Sequence, residues 1–150
     1  MIQLEAIATV KNSRKEIKDD DWEDIVSEII LDLSLSEECF RGIEAFSHLE
    51  IVYYFHKVNK TKINYDSRYP RNDKNLEKVG IFAQRGKNRP NQIGLTIVKF
   101  VKKEGRTLFV RGLDAIDGSP VLDIKPVIKE FLPMESIKQP AWVSKLMQEY

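Results

Sequence analysis

Residues 46–56 (FSHLEIVYYFH) constrain the fold most, because their apolar and polar side chains alternate with a period of two. Leu49, Ile51, Tyr53 and Phe55 would share one face of an extended strand. The opposite face would carry Val52 and four polar side chains: His48, Glu50, Tyr54 and His56. This alternation predicts a β-strand with one buried face rather than an amphipathic helix.

Further short apolar runs, separated by turn signals, predict more strands: Ile2–Val10, Ile25–Leu33, Val79–Gln84, Ile93–Val101, Thr107–Gly112 and Val121–Ile124. Gly105 and the tetrapeptide Asp117-Gly118-Ser119-Pro120 are typical of turns between them. These spacings favour a mainly β fold, either a barrel or a sandwich. With 150 residues, of which 42% are hydrophobic, we expect a single domain over residues 1–150.

Two short helices are expected to flank the strands. Ser36 is a candidate N-cap for a helix through Ile43, in which the single cysteine, Cys39, would be a packing residue. A second helix is predicted at about residues 141–150, where four side chains would fall on one face: Trp142, Leu146, Met147 and Tyr150. This closing helix would cover a barrel end, as a lid, or contact a partner.

Several functional classes are disfavoured by the sequence. The N-terminus does not resemble a secretory leader, and no window approaches 18 uncharged apolar residues, so we expect a cytoplasmic protein without a membrane partner. No G-x-G-x-x-G or Walker A motif follows a strand, which argues against a Rossmann-type cofactor site. His48 and His56 would lie about 26 Å apart along a straight strand, so we predict no metal site.

Residues 85–111 form the one strongly basic region, with eight Lys and Arg side chains against Glu104, a net charge of +7. Its first ten residues (RGKNRPNQIG) could present guanidinium groups and backbone N–H groups to a carboxylate or phosphate. The alternative is a solvated loop followed by outward-facing strand positions. The whole chain has a net charge of only +1, so any polyanion site depends on local clustering.

Two further segments are candidates for a site. Residues 65–77 (YDSRYPRNDKNLE) read as a loop of a length that often carries function. Residues 112–126 (GLDAIDGSPVLDIKP) place three aspartates around a turn, which raises the possibility of acid and base catalysis. The simpler interpretation is that Asp117 organises its turn by accepting backbone N–H bonds.

These segments together, in this order, resemble the TsaA-like family, also called TrmO-like after its tRNA methyltransferase members. The matching motifs span residues 46–126: Phe46-Ser-His-Leu49, Tyr54-Phe-His56, Tyr69-Pro-Arg71, Val79-Gly-Ile-Phe-Ala-Gln-Arg85, Arg89-Pro-Asn-Gln-Ile-Gly-Leu95 and the segment from Gly112 to Pro126. The resemblance implies a small single-domain β-barrel that binds S-adenosylmethionine, usually as a homodimer with the cofactor near the subunit interface.

The resemblance also assigns residues. The cofactor contacts of the family fall on eight positions: His56, Lys57, Arg85, Leu95, Ile116, Asp117, Gly118 and Ser119. Arg85 would pair with the methionyl carboxylate, Leu95 would pack on the adenine, and the Asp117 turn would supply polar contacts. Four further positions are expected to contact the substrate: Arg71, Lys87, Arg89 and Asn91.

The implied reaction is methyl transfer to the exocyclic nitrogen of threonylcarbamoyl-adenosine beside the tRNA anticodon. His56 and Asp117 are candidates for the proton acceptor, and Tyr69 could stack on the base. The chain departs from the family at three places: it has Ser13-Arg14-Lys15 for Pro-Arg-Gln, Gly86-Lys87-Asn88 for Ser-Pro-Phe, and Val127 for an aromatic residue. The alternatives are a small-molecule acceptor on the same fold, or a non-catalytic RNA-binding barrel.

Overall fold

A computed structural model describes residues 1–150, with the side chain of Glu149 left out. Six strands close into an antiparallel barrel in the order β1-β2-β7-β6-β3-β8. Their bounds are Ala8–Lys11 (β1), Val26–Leu31 (β2), His48–Tyr54 (β3), Ile93–Glu104 (β6), Thr107–Arg111 (β7) and Pro120–Pro126 (β8). The predicted mainly β class and the barrel are therefore confirmed.

Shorter elements surround the barrel. Ser67–Arg68 (β4) and Val79–Gly80 (β5) pair as a small separate sheet, and Ala141–Leu146 is an α-helix (α1). The remaining helical segments are single 3₁₀ turns: Glu37–Phe40, Ile43–Ala45, Lys60–Lys62, Pro70–Asn72, Ile81–Ala83, Pro90–Gln92, Lys129–Phe131 and Met147–Glu149. None of the described helices is long and apolar enough to cross a membrane.

The barrel closes because its longest strand bends. β6 pairs with β3 along its first half and with β7 along its second half, and its register shifts between Phe100 and Lys102. A second shift lies between Val52 and Tyr53, where β3 pairs with β8. Irregularities of this kind bend a strand and increase its twist, and closure leaves no unpaired sheet edge.

The core lies inside the barrel and follows the alternation read from the sequence. Leu49, Ile51 and Tyr53 are buried, while their neighbours in β3 are exposed or half-buried. They pack with inward side chains of the other strands: Ala8, Val10, Ile29, Leu31, Val98, Leu108, Val110 and Val121. The face predicted for residues 46–56 is thus confirmed.

Four sequence predictions need correction. Of Val79–Gln84 only the first two residues form a strand, which pairs with β4 outside the barrel. The N-terminal strand begins at Ala8 rather than Ile2, because Ala8 already pairs with Leu31, the last residue of β2. Ser36 does cap a helix, but this is a 3₁₀ turn that ends at Phe40. Its apolar contact is made by Phe40, so Cys39 is exposed and is not a packing residue.

Candidate functional site

One end of the barrel opens into a cavity of about 750 Å³, a size that accommodates a ligand of nucleoside dimensions. The wall combines four regions: the ends of β3 and β6, the turn before β8, the loops on either side of β5, and the C-terminal helix. The remaining side is formed by the acidic N-terminal segment, residues 18–24, which contributes Lys18, Asp19 and Trp22. The predicted site segments therefore converge at one place although they are distant in sequence.

The turn of residues 116–119 forms one wall and is fixed by its own backbone. Gly118 has a φ of 84°, a left-handed conformation that glycine adopts without strain. Its N–H donates to the Val10 carbonyl at 2.7 Å, and the Ser119 hydroxyl donates to the Ile116 carbonyl at 2.7 Å. Ile116 and Ser119 reach the cavity. This turn holds its conformation without help from a ligand.

His56 lies against this turn, with its Nε2 atom 3.5 Å from the position that a β-carbon on Gly118 would take. Its Nδ1 atom is buried and has no hydrogen-bond partner among the described residues. Burial lowers the pKa of His56 below its usual value of 6.5, Lys57 lowers it further, and Asp117 opposes both. The imidazole is therefore neutral near pH 7, and it can accept a hydrogen bond or a proton.

Asp117 does not line the cavity. One of its carboxylate oxygens accepts the Asn12 backbone N–H at 2.9 Å, and the other pairs with Lys15 Nζ at 2.7 Å. The hydrogen bonds from Lys15 and Asn12 lower the pKa of Asp117. Lys57 also binds this segment, since its Nζ donates to the Lys15 carbonyl at 2.9 Å. In this arrangement Asp117 anchors the N-terminal segment beside His56.

The first ten residues of the basic region, 85–94, form a loop at the rim of the cavity. Arg85 donates to the backbone carbonyl of Leu95, the residue predicted to contact adenine, at 2.6 Å, and both residues line the cavity. Arg89 donates to the Gln84 carbonyl at 2.7 Å and holds the loop closed on itself. A guanidinium has five N–H donors, which leaves further donors on both arginines for an anionic group.

The long loop of residues 65–77 brings Arg71 to the same cavity but not Tyr69. Arg71 adopts a φ of 51°, which is uncommon for a side chain of this size. Its Nη2 pairs with Asp20 at 2.9 Å, and Lys87 lies 3.4 Å from Asp19. Two of the predicted substrate contacts are thus paired with the acidic N-terminal segment. Asn91 is exposed, outside the cavity, with a φ of 64°.

The charge of the lining is strongly asymmetric. Among the described residues it includes seven cationic side chains: Lys18, Lys57, Arg68, Arg71, Arg85, Lys87 and Arg89. The carboxylates among those lining residues are Asp19 and Asp114. Such an excess of positive charge in a concave site attracts anionic or zwitterionic ligands. The basic stretch of the sequence is therefore only partly a cavity feature, because Lys99 and Arg111 lie outside it.

The sequence analysis missed the role of Asp114, which binds three hydroxyl groups. Its Oδ1 accepts from Tyr53 at 2.7 Å and from Thr96, and its Oδ2 accepts from Tyr150 at 2.5 Å. Burial and the Asp114 charge raise the pKa of both tyrosines, so both phenols stay protonated. The sequence signal for this role was the place of Tyr53 on the buried face of β3, because a buried tyrosine hydroxyl needs a hydrogen-bond partner.

The C-terminal helix contacts the cavity of its own chain. Trp142, Val143 and Leu146 contribute to the wall, and the Tyr150 carbonyl accepts the Trp22 N–H at 3.3 Å. Trp22 is buried, and the Arg14 guanidinium lies 4.8 Å from its ring centroid. α1 therefore forms part of the wall of this cavity. No cluster of three metal-ligating side chains occurs among the described residues.

Comparisons with known proteins agree with this architecture. Residues 14–131 match the family described as the tRNA-methyltransferase O N-terminal domain. A crystal structure of TrmO from Pseudomonas aeruginosa superimposes with a TM-score of 0.72 at 24% identity, covering 92% of this chain and 61% of that one. This likeness shows the shared fold.

Curated relatives are closer in sequence. The tRNA (adenine(37)-N6)-methyltransferase of Mus musculus is 43% identical over 95 residues, which cover 63% of this chain and 22% of the relative. The human protein of the same name is 40% identical over 104 residues, 69% of this chain and 23% of the relative. A probable S-adenosyl-L-methionine-binding protein of Pyrococcus abyssi is 38% identical over 108 residues, 72% of this chain and 55% of the relative.

The chain thus spans less than a quarter of the length of these mammalian relatives. The family match itself covers most of the chain, including every strand of the barrel except β1. On the strength of that match and of the closed barrel, the chain belongs to the tRNA-methyltransferase O N-terminal domain family.

Proposed function

We propose that this chain is an S-adenosylmethionine-dependent methyltransferase that N-methylates threonylcarbamoyl-adenosine beside the tRNA anticodon. The observation that carries the proposal is the convergence of the predicted cofactor contacts on one cavity. Six of the eight line it: His56, Lys57, Arg85, Leu95, Ile116 and Ser119. The names of the family and of its curated relatives point to the same activity.

The residues of the cavity fit this cofactor. The orphaned Nδ1 of His56 is a buried polar atom that a ligand can satisfy, and the cationic rim suits a carboxylate. Arg85 would hold the methionyl carboxylate and Leu95 would pack against the adenine. The 116–119 turn, with Gly118 and Asp117 behind it, would position the cofactor. S-adenosylmethionine supplies the methyl group when it is bound.

The chain would contribute orientation, exclusion of water and removal of one proton from the acceptor nitrogen. His56 is the better candidate for the proton acceptor, because it is neutral and reaches the cavity, whereas the Asp117 carboxylate is already engaged. Arg71, Lys87 and Arg89 would contact the RNA, with the acidic partners of Arg71 and Lys87 displaced. Asn91 and Tyr69 would contribute from outside the cavity, Tyr69 by stacking on a base.

A homodimer goes with this proposal. The outward face of β6 exposes three apolar side chains, Ile93, Leu95 and Ile97, each between 37% and 48% accessible. They lie in register with Tyr54, Val52 and Glu50 of β3, so the apolar surface continues onto Tyr54 and Val52 and ends at the Glu50 carboxylate. Leu95 and Ile93 also line the cavity, which would bring a second subunit next to the cofactor. Sedimentation equilibrium tests whether the chain forms a dimer in solution.

The cytoplasmic location expected from the sequence is part of the same proposal.

Calorimetric titration with S-adenosylmethionine tests the cofactor site. We expect binding that Arg85→Ala abolishes and that Arg111→Ala leaves intact, because Arg111 is an exposed arginine of β7 outside the cavity. Absence of binding to the wild-type chain would contradict the proposal.

Transfer of labelled methyl groups tests the acceptor. The expected acceptor is tRNA that carries threonylcarbamoyl-adenosine, with unmodified tRNA as the matched control. Transfer to a metabolite extract but not to tRNA would favour the small-molecule alternative. Salt-sensitive RNA binding without affinity for S-adenosylmethionine would favour the non-catalytic barrel.

A further inference from the structure

Asp114 is a carboxylate inside a cavity whose rim is cationic, and its two oxygens are used differently. Oδ1 accepts hydrogen bonds from both Tyr53 and Thr96. Oδ2 accepts from Tyr150 alone among the described residues, at 2.5 Å. The carboxylate therefore has one oxygen bound within the barrel and one bound to the C-terminal segment.

The partners of Oδ1 are fixed by the barrel. Tyr53 is 2% exposed, and its ring packs directly against the Gly94 backbone. Thr96 lies in the middle of the ladder between β3 and β6, in register with Ile51. Tyr53 cannot leave Asp114 without disrupting the core, and the backbone of Thr96 is held in the ladder. Oδ1 is therefore a structural position.

The partner of Oδ2 is held much more weakly. Tyr150 follows a helix of only six residues, α1, and its carbonyl is bound by the Trp22 N–H at a long 3.3 Å. Every residue from 128 to 140 is exposed, and none of the described side chains of residues 141–150 is fully buried, so this C-terminal segment is not packed into the barrel. A segment with so few buried contacts can open locally at low cost in free energy.

We propose that Asp114 Oδ2 is a ligand-binding position and that the Tyr150 hydroxyl occupies it in the free protein. On binding, a hydroxyl or N–H donor of the methyl donor or of the acceptor replaces the phenol. The identity of these ligands rests on the proposed function. A carboxylate accepts charge-assisted hydrogen bonds, which are stronger than those between neutral groups. The cavity lining is mostly cationic. Asp114 is therefore suited to the hydrogen-bond donors of the ligand, whereas the cationic rim is suited to its anionic groups.

Two substitutions should act in opposite directions. Tyr150→Phe removes the competing hydroxyl and keeps the ring, so the affinity for the ligand should rise by roughly three- to tenfold. Asp114→Asn keeps an acceptor for Tyr53 and Thr96 but places an amide donor at the other position. We expect it to weaken binding by about tenfold. When Asp114→Asn is already present, adding Tyr150→Phe should not raise the affinity for the ligand.

The controls make the same chemical changes outside the cavity. Tyr65→Phe and Asp123→Asn alter an exposed side chain of the long loop and a half-buried side chain of β8, neither of which lines the cavity. Both should leave ligand affinity unchanged. Thermal unfolding of all variants separates a loss of binding from a loss of folded protein.

The two possible sources of the donor are distinguished by two measurements. If the methyl donor binds Oδ2, Tyr150→Phe lowers the dissociation constant of S-adenosylmethionine in calorimetry. If the acceptor binds there, that constant is unchanged and the KM for tRNA falls. A variant that leaves both constants unchanged or raises them would overturn the inference and make Tyr150 a purely structural contact. A wild-type chain that does not bind S-adenosylmethionine would instead contradict the proposed function, and this inference with it.

Hydrogen exchange provides a readout that needs no ligand. Loss of the hydroxyl should speed amide exchange in residues 141–150 of Tyr150→Phe, because the contact with Asp114 holds this segment in place. Exchange in β3 and β6 should be unchanged. Unaltered exchange in residues 141–150 would also refute the inference, since Tyr150 would then not hold the segment on Asp114.

Discussion

The Gly94 backbone packs so closely on Tyr53 that a β-carbon at Gly94 would lie 2.5 Å from Cζ of the tyrosine ring. The two residues face each other across the ladder between β3 and β6. The missing side chain of Gly94 thus makes room for the ring whose hydroxyl binds Asp114. A steric feature of the core thereby sets the position of a polar group in the cavity.

Gly94→Ala should therefore destabilise the protein and disturb the cavity together. We expect a loss of about 1–3 kcal/mol in the free energy of unfolding, because the ring cannot shift within a packed barrel without displacing its neighbours. Urea unfolding measures this loss. Gly80→Ala is the matched control, because a β-carbon there meets nothing within 4 Å. Equal stability of the two variants would contradict the packing argument.

Gly118→Ala should affect the site through backbone strain. A residue with a β-carbon at a φ of 84° costs about 1 kcal/mol, and here the added carbon would lie 3.5 Å from His56 Nε2, in ordinary van der Waals contact. We expect a modest loss of stability and weaker binding of S-adenosylmethionine in calorimetry. Gly86→Ala adds the same methyl group to the cavity lining without a positive φ, so it should keep both properties.

His56 should make stability depend on pH. Burial lowers its pKa in the folded protein below 6.5, so in the window just below pH 6.5 the unfolded chain binds more protons than the folded one. Stability therefore rises with pH through that window and falls as the solution becomes more acidic. His56→Gln should make stability depend less on pH, as measured by urea unfolding at pH values from about 5 to about 7.

The second histidine of the chain is the control for this effect. His48 lies at the exposed start of β3, where its Nδ1 is 2.7 Å from the Ser47 hydroxyl. His48→Gln should leave the slope of stability against pH as it is in the wild-type protein. A steep slope that persists in His56→Gln would assign the effect to other groups.

RNA binding should depend on the cavity rim rather than on the whole basic stretch. Each of Arg71→Ala, Lys87→Ala and Arg89→Ala should reduce the slope of log affinity against log salt by about one, since each removes one phosphate contact. Lys99→Ala removes a charge from the same stretch of sequence but outside the cavity, and should leave the slope unchanged. Filter binding of tRNA at several salt concentrations measures these slopes. A uniform effect of all four substitutions would contradict a localised site.

The sequence alone determined the strands whose burial alternates and the turns that contain glycine. The period of two in residues 46–56 specifies which face of β3 is buried, because side chains of a strand point alternately to opposite sides. The Asp117-Gly118 turn was identified because its backbone conformation is local and favours glycine. The resemblance of motifs within residues 46–126 also identified the family, and six of its eight cofactor positions line the cavity.

Only the tertiary structure decided which of the polar groups meet. Asp114 binds Tyr53 and Tyr150, which are 61 and 36 residues away in the chain, and no local pattern encodes such distances. The strand predicted at Val79–Gln84 failed for the same reason. A short apolar run does not specify which strand it pairs with, and β5 pairs with β4 outside the barrel. Strand pairing and hydroxyl contacts depend on closure of the barrel, whereas alternation and turn geometry depend on neighbouring residues.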